Sequence, residues 1–190
     1  MLTRNYDSMT VGYMTMLPSG TPTETDWLGG LPGVIKDHNG VVRAMTRYPT
    51  NSFSAFGNSS NLDNFVQMPS ETSLPPVLLV GSSNAAESYN DYSLAFISGL
   101  STVGYRSAAI TYSEDGCIYT TVKTFINNTD KDITVNELGL SQHIATSSMA
   151  AGNCDILLYR KKLGTPVTLK ANGGTATFSL VIDIPYANKP

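Results

Sequence analysis

Charge is what this sequence has least of. Only 14% of its 190 residues are Asp, Glu, Lys or Arg, against about a quarter in an ordinary globular chain. Its 12 Lys and Arg residues are spread over the whole length and the net charge is −3, which argues against a nucleic-acid partner, because neutralising phosphates takes clustered cations. The one basic cluster, "YRKK" at Tyr159 to Lys162, reads as a solvated strand end. Histidine and cysteine are scarce as well, at two each. His38 and His143 stand without other ligands at metal spacing, whereas a zinc site needs three or four that converge. Both read as surface histidines, and no metal or cofactor is expected. Cys117 and Cys154 read as free buried thiols, with a disulfide between them left open. No apolar run approaches the roughly 20 residues of a membrane span, and the N-terminus lacks the pattern of a secretory signal. The expectation is a soluble protein made in a cytoplasm, with no membrane partner.

Catalytic motifs are also missing. There is no G-x-S-x-G elbow, phosphate-binding loop, C-x-x-C or Asp-rich calcium loop. "GSSNAAES" (Gly81 to Ser88) follows a strand, but no helix with a phosphate-binding Lys comes after it. Asp91 paired with Glu114 or Asp115 has the chemistry for general acid and base work, yet Glu114, Asp115, Asp130 and Asp132 sit where acids form turns. The match of Asn127-Asn128-Thr129 to a glycosylation acceptor matters only in a secretory pathway. The expectation is a protein without enzyme activity.

What the chain does have is uncharged polarity, in Ser, Thr, Asn and Gly, and so little like-charge repulsion between copies. Its character changes near Pro75 and Pro76. Residues 1 to 74 are punctuated by Pro and Gly too often for long helices, as in "LPSGTPTETDWLGGLPG" (Leu17 to Gly33). Such a segment cannot close a core alone, so it reads as an extended, loop-rich arm lying on the following domain or on a neighbouring subunit. Met9, Met14, Met16, Trp27, Leu28 and Leu31 are the residues expected to be buried in such an interface, since Met adapts to irregular grooves and Trp favours interface cores.

Residues 75 to 190 read as an all-β domain, with apolar runs separated by turn clusters. "PVLLVG" opens it, and a loop "NAAESYNDYSLAFI" follows. Two strands join across "SEDG", a third is expected to pair through "NNTDKD", and "ANGG" is expected to turn one strand back on another. In "CIYTTVKTFI", Tyr119, Thr121, Lys123 and Phe125 share one face, and Ile118, Thr120, Val122 and Thr124 the other. Seven or eight short, evenly spaced strands give an antiparallel β-sandwich of Ig-like or jelly-roll type.

Within "INNTDKDITVNELGL" (Ile126 to Leu140), Glu137 stands between apolar neighbours with no acid, base or nucleophile at matching spacing. It reads as structural. A bend at Gly139 would tuck the carboxylate against backbone donors of an adjacent loop.

The order of these segments resembles a β-sandwich module of structural proteins of tailed bacteriophages. The positions that carry the likeness are Gly81, the Asp91-Tyr92 and Leu94 of "DYSL", Phe125 to Thr129, Ile133 to Leu140, Leu157 to Arg160 and Pro166 to Leu169, all within residues 76 to 186. "YRKK" is more basic than that pattern, and the N-terminal 75 residues have no counterpart in it. The resemblance implies a non-enzymatic virion protein of the capsid, collar, tail or fibre base, whose partners are copies of itself and other virion proteins. The alternative is a carbohydrate-binding module for host attachment, with Tyr105, Tyr112 and Tyr119 as stacking platforms for a surface glycan.

Overall fold

The computed structural model describes residues 1–6, 21–30, 34–44, 77–112, 116–144 and 154–185. Met9, Met14, Met16 and Leu31 lie outside the described residues. The named elements are α1 (Glu24–Leu28) and strands β1 (Val34–Lys36), β2 (Val42–Ala44), β3 (Val77–Gly81), β4 (Leu100–Tyr112), β5 (Gly116–Asn127), β6 (Ile133–Ile144), β7 (Cys154–Leu169) and β8 (Thr175–Pro185). Among the described residues the fold is all-β apart from short helix, and every strand pairing is antiparallel.

The long strands form two three-stranded sheets, ordered β3-β6-β7 and β4-β5-β8. Both feed one core. Leu78, Val135, Leu138, Leu140 and Leu169 come from the first sheet, and Tyr119, Phe125, Phe178, Leu180 and Ile182 from the second. The Phe125 and Phe178 rings meet edge to face at 5.9 Å, a favoured arrangement of aromatic quadrupoles. In β5 the alternation is as the sequence suggests, with Tyr119, Thr121 and Phe125 buried and Ile118 on the exposed face.

The connections differ from expectation at two places. β6 does not pair with β5 through "NNTDKD", and β8 does not fold back on β7 through "ANGG"; each segment instead carries the chain from one sheet to the other. The cause is a pair of interlocked corners. Buried Asn127 donates Nδ2 to the carbonyls of Lys131 (2.7 Å), Leu169 (3.1 Å) and Lys170 (3.1 Å), while its Oδ1 accepts from Thr129 N (2.9 Å) and Oγ1 (2.7 Å). Backbone bonds from Asn127 N to Gly174 O (2.9 Å), Gly173 N to Asn127 O (2.8 Å) and Asn172 N to Thr129 O (2.8 Å) close the junction. Asn172 (φ 56°) and Gly173 (φ 101°) occupy the left-handed region there, which Gly and Asn enter at least cost.

β7 also runs longer than expected, through Gly164 and Pro166 to Leu169. Pairing skips from Val135↔Val167 to Glu137↔Lys162, so Asn136 alone faces residues 163 to 166. A bulge of this kind accommodates Pro without ending the strand and shifts which residues face inward. On β6 the core-facing set changes accordingly, from Val135 to Leu138 and Leu140.

The described part of the N-terminal region lies on the β domain. Thr3 N bonds Leu158 O and Arg160 N bonds Met1 O, both at 3.0 Å, along the free edge of β7. Asn5 mimics a strand partner of Lys36, giving Nδ2 to its carbonyl (2.7 Å) and taking its N–H on Oδ1 (2.8 Å). The same Oδ1 receives the Trp27 indole N–H at 3.1 Å. Thr23 and Asp26 form a capping box at the start of α1. Trp27 is 1% exposed within its own chain, edge-on to Tyr92 at 6.3 Å and beneath the Lys36 ammonium at 4.9 Å. It is covered before any partner arrives. Leu28 beside it is exposed.

Candidate functional site

The β3-β6-β7 sheet is covered on both faces. One faces the core; over the other runs the loop from Ser82 to Ile97, so Glu137 to Gln142 on the central strand are all buried. A carboxylate in such a place is costly unless every lone pair is engaged. Glu137, at 0% exposure, meets that condition. Its Oε1 accepts the backbone N–H of Ser83 (3.1 Å) and Ala95 (2.8 Å), and its Oε2 accepts Arg160 Nε at 2.6 Å. The carboxylate thus holds both ends of the covering loop.

Glycine makes the room. Gly81 is the cross-strand partner of Glu137, and a Cβ on Gly81 would overlap the Glu137 side chain, with Cγ at 2.8 Å. Gly139 lies within β6 and is not among the positive-φ glycines. Its requirement is space rather than a left-handed bend: a Cβ there would stand 2.8 Å from Leu157 Cδ1 and from Leu94 Cδ1.

Arg160 completes the cluster, and its position differs from expectation. Of "YRKK", Lys161 and Lys162 are exposed as expected, but the cluster lies within β7 rather than at its end, and Arg160 is 4% exposed. Its Nη1 donates to Ala86 O (3.0 Å) and Asp91 Oδ2 (2.8 Å), and its Nη2 to Ser83 Oγ (3.3 Å) and Ala85 O (3.2 Å). With Nε on Glu137, all five N–H donors of a guanidinium are used. Burial opposes its charge, but hydrogen bonds and charges of Asp91 and Glu137 outweigh that and hold its pKa above the ordinary arginine value. Asp91 Oδ2 also accepts Ser88 N at 2.7 Å. No donor remains for a substrate anion, so the chemistry of the cluster is cohesion of loop and sheet. Sequence reasoning anticipated backbone donors for Glu137 but missed Arg160. The reason is the bulge at Leu158, skipped between the pairs Leu140↔Tyr159 and Ser141↔Leu157: it breaks the two-residue period along "ILLYR".

His38 is not a plain surface residue either. Its ring is half-buried, and burial lowers its pKa despite the opposing charges of Asp155 and Asp37. Nε2 lies 3.3 Å from Ser141 Oγ, but that hydroxyl donates to Ile156 O at 3.1 Å. The Ser141 proton therefore has a carbonyl acceptor within reach in Ile156, so the pair lacks the dedicated serine-to-imidazole bond of an activated nucleophile. Cys154 is free and buried, and burial pushes its thiol up to about 11, far from the thiolate a reactive cysteine needs. Tyr119, a candidate sugar platform, is a core residue.

A cavity of about 450 Å³ opens beside His38. Leu79, Val80, Leu94, Ile97, Leu100 and Phe125 form its apolar wall, and Phe96, 87% exposed, stands at its lining.

Set beside family models, curated proteins and solved structures, the chain matches none of them.

Proposed function

We propose that this chain is a non-enzymatic structural subunit of a bacteriophage virion, an Ig-like or jelly-roll β-sandwich with an N-terminal arm, that works by assembling with copies of itself and with other virion proteins. The observation that carries the reading is the outer face of the β4-β5-β8 sheet. Val103, Ile118 and Val181 are 48%, 39% and 49% exposed. The paired positions around them, Thr120 opposite Val181 and Ala109, and Thr124 opposite Thr177 and Val103, carry no charge, and Asp183 opposite Ile118 is the charged residue at that end. A broad face of β-branched side chains with little charge supports close packing against another protein surface. The saturated Glu137–Arg160 cluster supports a rigid body rather than a reaction centre.

The test is incorporation. Virions purified from a lysate in which the chain is made should contain it in a fixed copy number by quantitative mass spectrometry: tens to hundreds for a capsid protein, a small symmetric number for a tail or collar part. The variant Thr120→Lys/Val181→Lys should fold and yet be depleted from particles. Absence of the wild-type chain from virions would overturn the reading.

A further inference from the structure

Large apolar side chains seldom stand almost wholly in water next to an apolar cavity that would hold them. Phe96 does: its ring is 87% exposed and lines the mouth of the 450 Å³ cavity walled by Leu79, Val80, Leu94, Ile97, Leu100 and Phe125. The ring is held out by the buried cluster beneath it. Ala95 N–H is fixed on Glu137 Oε1 at 2.8 Å and Ala95 O accepts Ser82 N at 3.0 Å, while Leu94 fills the space left by Gly139. The backbone on one side of Phe96 is therefore anchored, and the knob is organised before any contact, which lowers the entropy cost of docking.

We propose that a second copy of this chain occupies the cavity, each copy inserting its Phe96 into the other's socket across a two-fold axis at the rim. This rests on the reading of the chain as an assembling subunit and names one contact through which copies meet. Knob and socket on the same rim satisfy the self-complementarity that a two-fold contact requires. Charge permits it. No Lys, Arg, Asp or Glu lines the cavity, and His38, whose pKa burial lowers, is neutral near pH 7, so two copies approach without like-charge opposition. Area sets the strength. Two aromatic rings contribute about 300–500 Å², below the roughly 1,200 Å² of a stable interface, so isolated chains should associate weakly and reversibly, with persistence coming from many contacts acting together.

Sedimentation velocity over a concentration series tests this with the wild type, Phe96→Ser and Ser93→Trp, the last filling the socket. The wild type should show concentration-dependent association, and each variant should weaken it by about tenfold or more, the loss expected for a buried aromatic contact. Because the Phe96 ring already faces water, Phe96→Ser should keep the wild-type melting temperature, which separates lost association from lost folding. If the wild type associates and enters virions and Phe96→Ser does both equally well, the two-fold contact is wrong and the assembly reading stands. A wild type that stays monomeric at every concentration overturns the contact even if it enters virions, and overturns both ideas if it is also absent from them. A monomer whose cavity binds an apolar peptide or small molecule assigns the socket to that ligand instead.

Discussion

The two sheets solve different problems with the same kind of strand. The β4-β5-β8 sheet keeps one face in water, and its middle strand alternates, Tyr119 and Phe125 inward and Ile118 outward. The β3-β6-β7 sheet is covered on both faces, and its middle strand is buried without a break from Glu137 to Gln142. Where only one face is covered, period-two patterning suffices. Where a loop seals the second face, the polar backbone of that loop must be satisfied inside the protein, and Glu137 with Arg160 performs that task. The difference separates a surface open to partners from an internal joint that fixes the loop bearing Phe96.

The largest effect should come from breaking the joint. Arg160→Ala leaves Glu137 and Asp91 facing each other's charge without a cation and should destabilise the fold by about 3–5 kcal/mol, read from urea midpoints at constant slope. Arg160→Lys should recover only part of this, since one ammonium cannot reach the carbonyls of Ala85 and Ala86 and both carboxylates together. Glu137→Gln should be milder than Glu137→Ala: the amide oxygen can still accept from Ser83 and Ala95, whereas Ala leaves those donors unpaired, at about 1–3 kcal/mol. If Arg160→Ala were as stable as the wild type, the idea of a cohesive joint would fail.

A smaller effect tests the packing of the sealed face against an open position in the same sheet. Gly139→Val places its side chain against Leu94 and Leu157 and should cost about 1–3 kcal/mol through overpacking. Gly164, in the bulge of β7, has no atom within 4 Å of a built Cβ, and Gly164→Ala should change stability by less than about 0.5 kcal/mol. Equal costs at the two sites would show that strand position, not the covering loop, sets the demand for glycine.

How much of this was readable in the sequence follows the same division. The inward and outward sets of β5 were legible because one wet face enforces alternation. So was the need of Glu137, a lone acid among apolar neighbours, for backbone donors. Gly81, Asp91, Leu94, Glu137, Gly139 and Arg160 converge around the joint, a meeting of four distant segments that no local pattern announces. Arg160 itself was hidden by the bulge at Leu158. The corners at "NNTDKD" and "ANGG" looked like hairpin turns because their residue types are the same; the choice between a hairpin and a crossing is made by Asn127 binding the other corner, a non-local fact. The residues expected in an arm interface divide as well. Trp27 has an internal partner in Asn5, a residue with no distinguishing neighbours in sequence.

A titration effect should be smaller still and belongs to the edge of the sealed face. Because burial lowers the His38 pKa in the folded state, the unfolded chain takes up the proton first. The stability linked to this group is complete above the ordinary histidine pKa of about 6.5 and is lost as pH falls through the lowered folded value. His38→Gln should therefore flatten the decline of stability from about pH 7 to pH 5 relative to the wild type, measured by urea unfolding at each pH. An unchanged slope would mean that the ring is solvated in solution and that the face is not sealed at that edge.

The smallest expected effect lies on the open face, and its smallness is the point. Thr120 and Val181 are cross-strand partners on the outer side of the β4-β5-β8 sheet, where neither contributes to the shared core. Val181→Thr exchanges a methyl for a hydroxyl that water can satisfy, and Thr120→Ser removes one methyl from a half-exposed pair. Each should stay within about 0.5 kcal/mol of the wild type in urea unfolding. Stability does not require exposed valine there, because a hydroxyl of the same shape serves a wet strand equally well. If the losses instead reach the 1–3 kcal/mol typical of a packed position, the face is already covered within the single chain, the contrast between the two sheets disappears, and with it the observation on which the assembly reading rests.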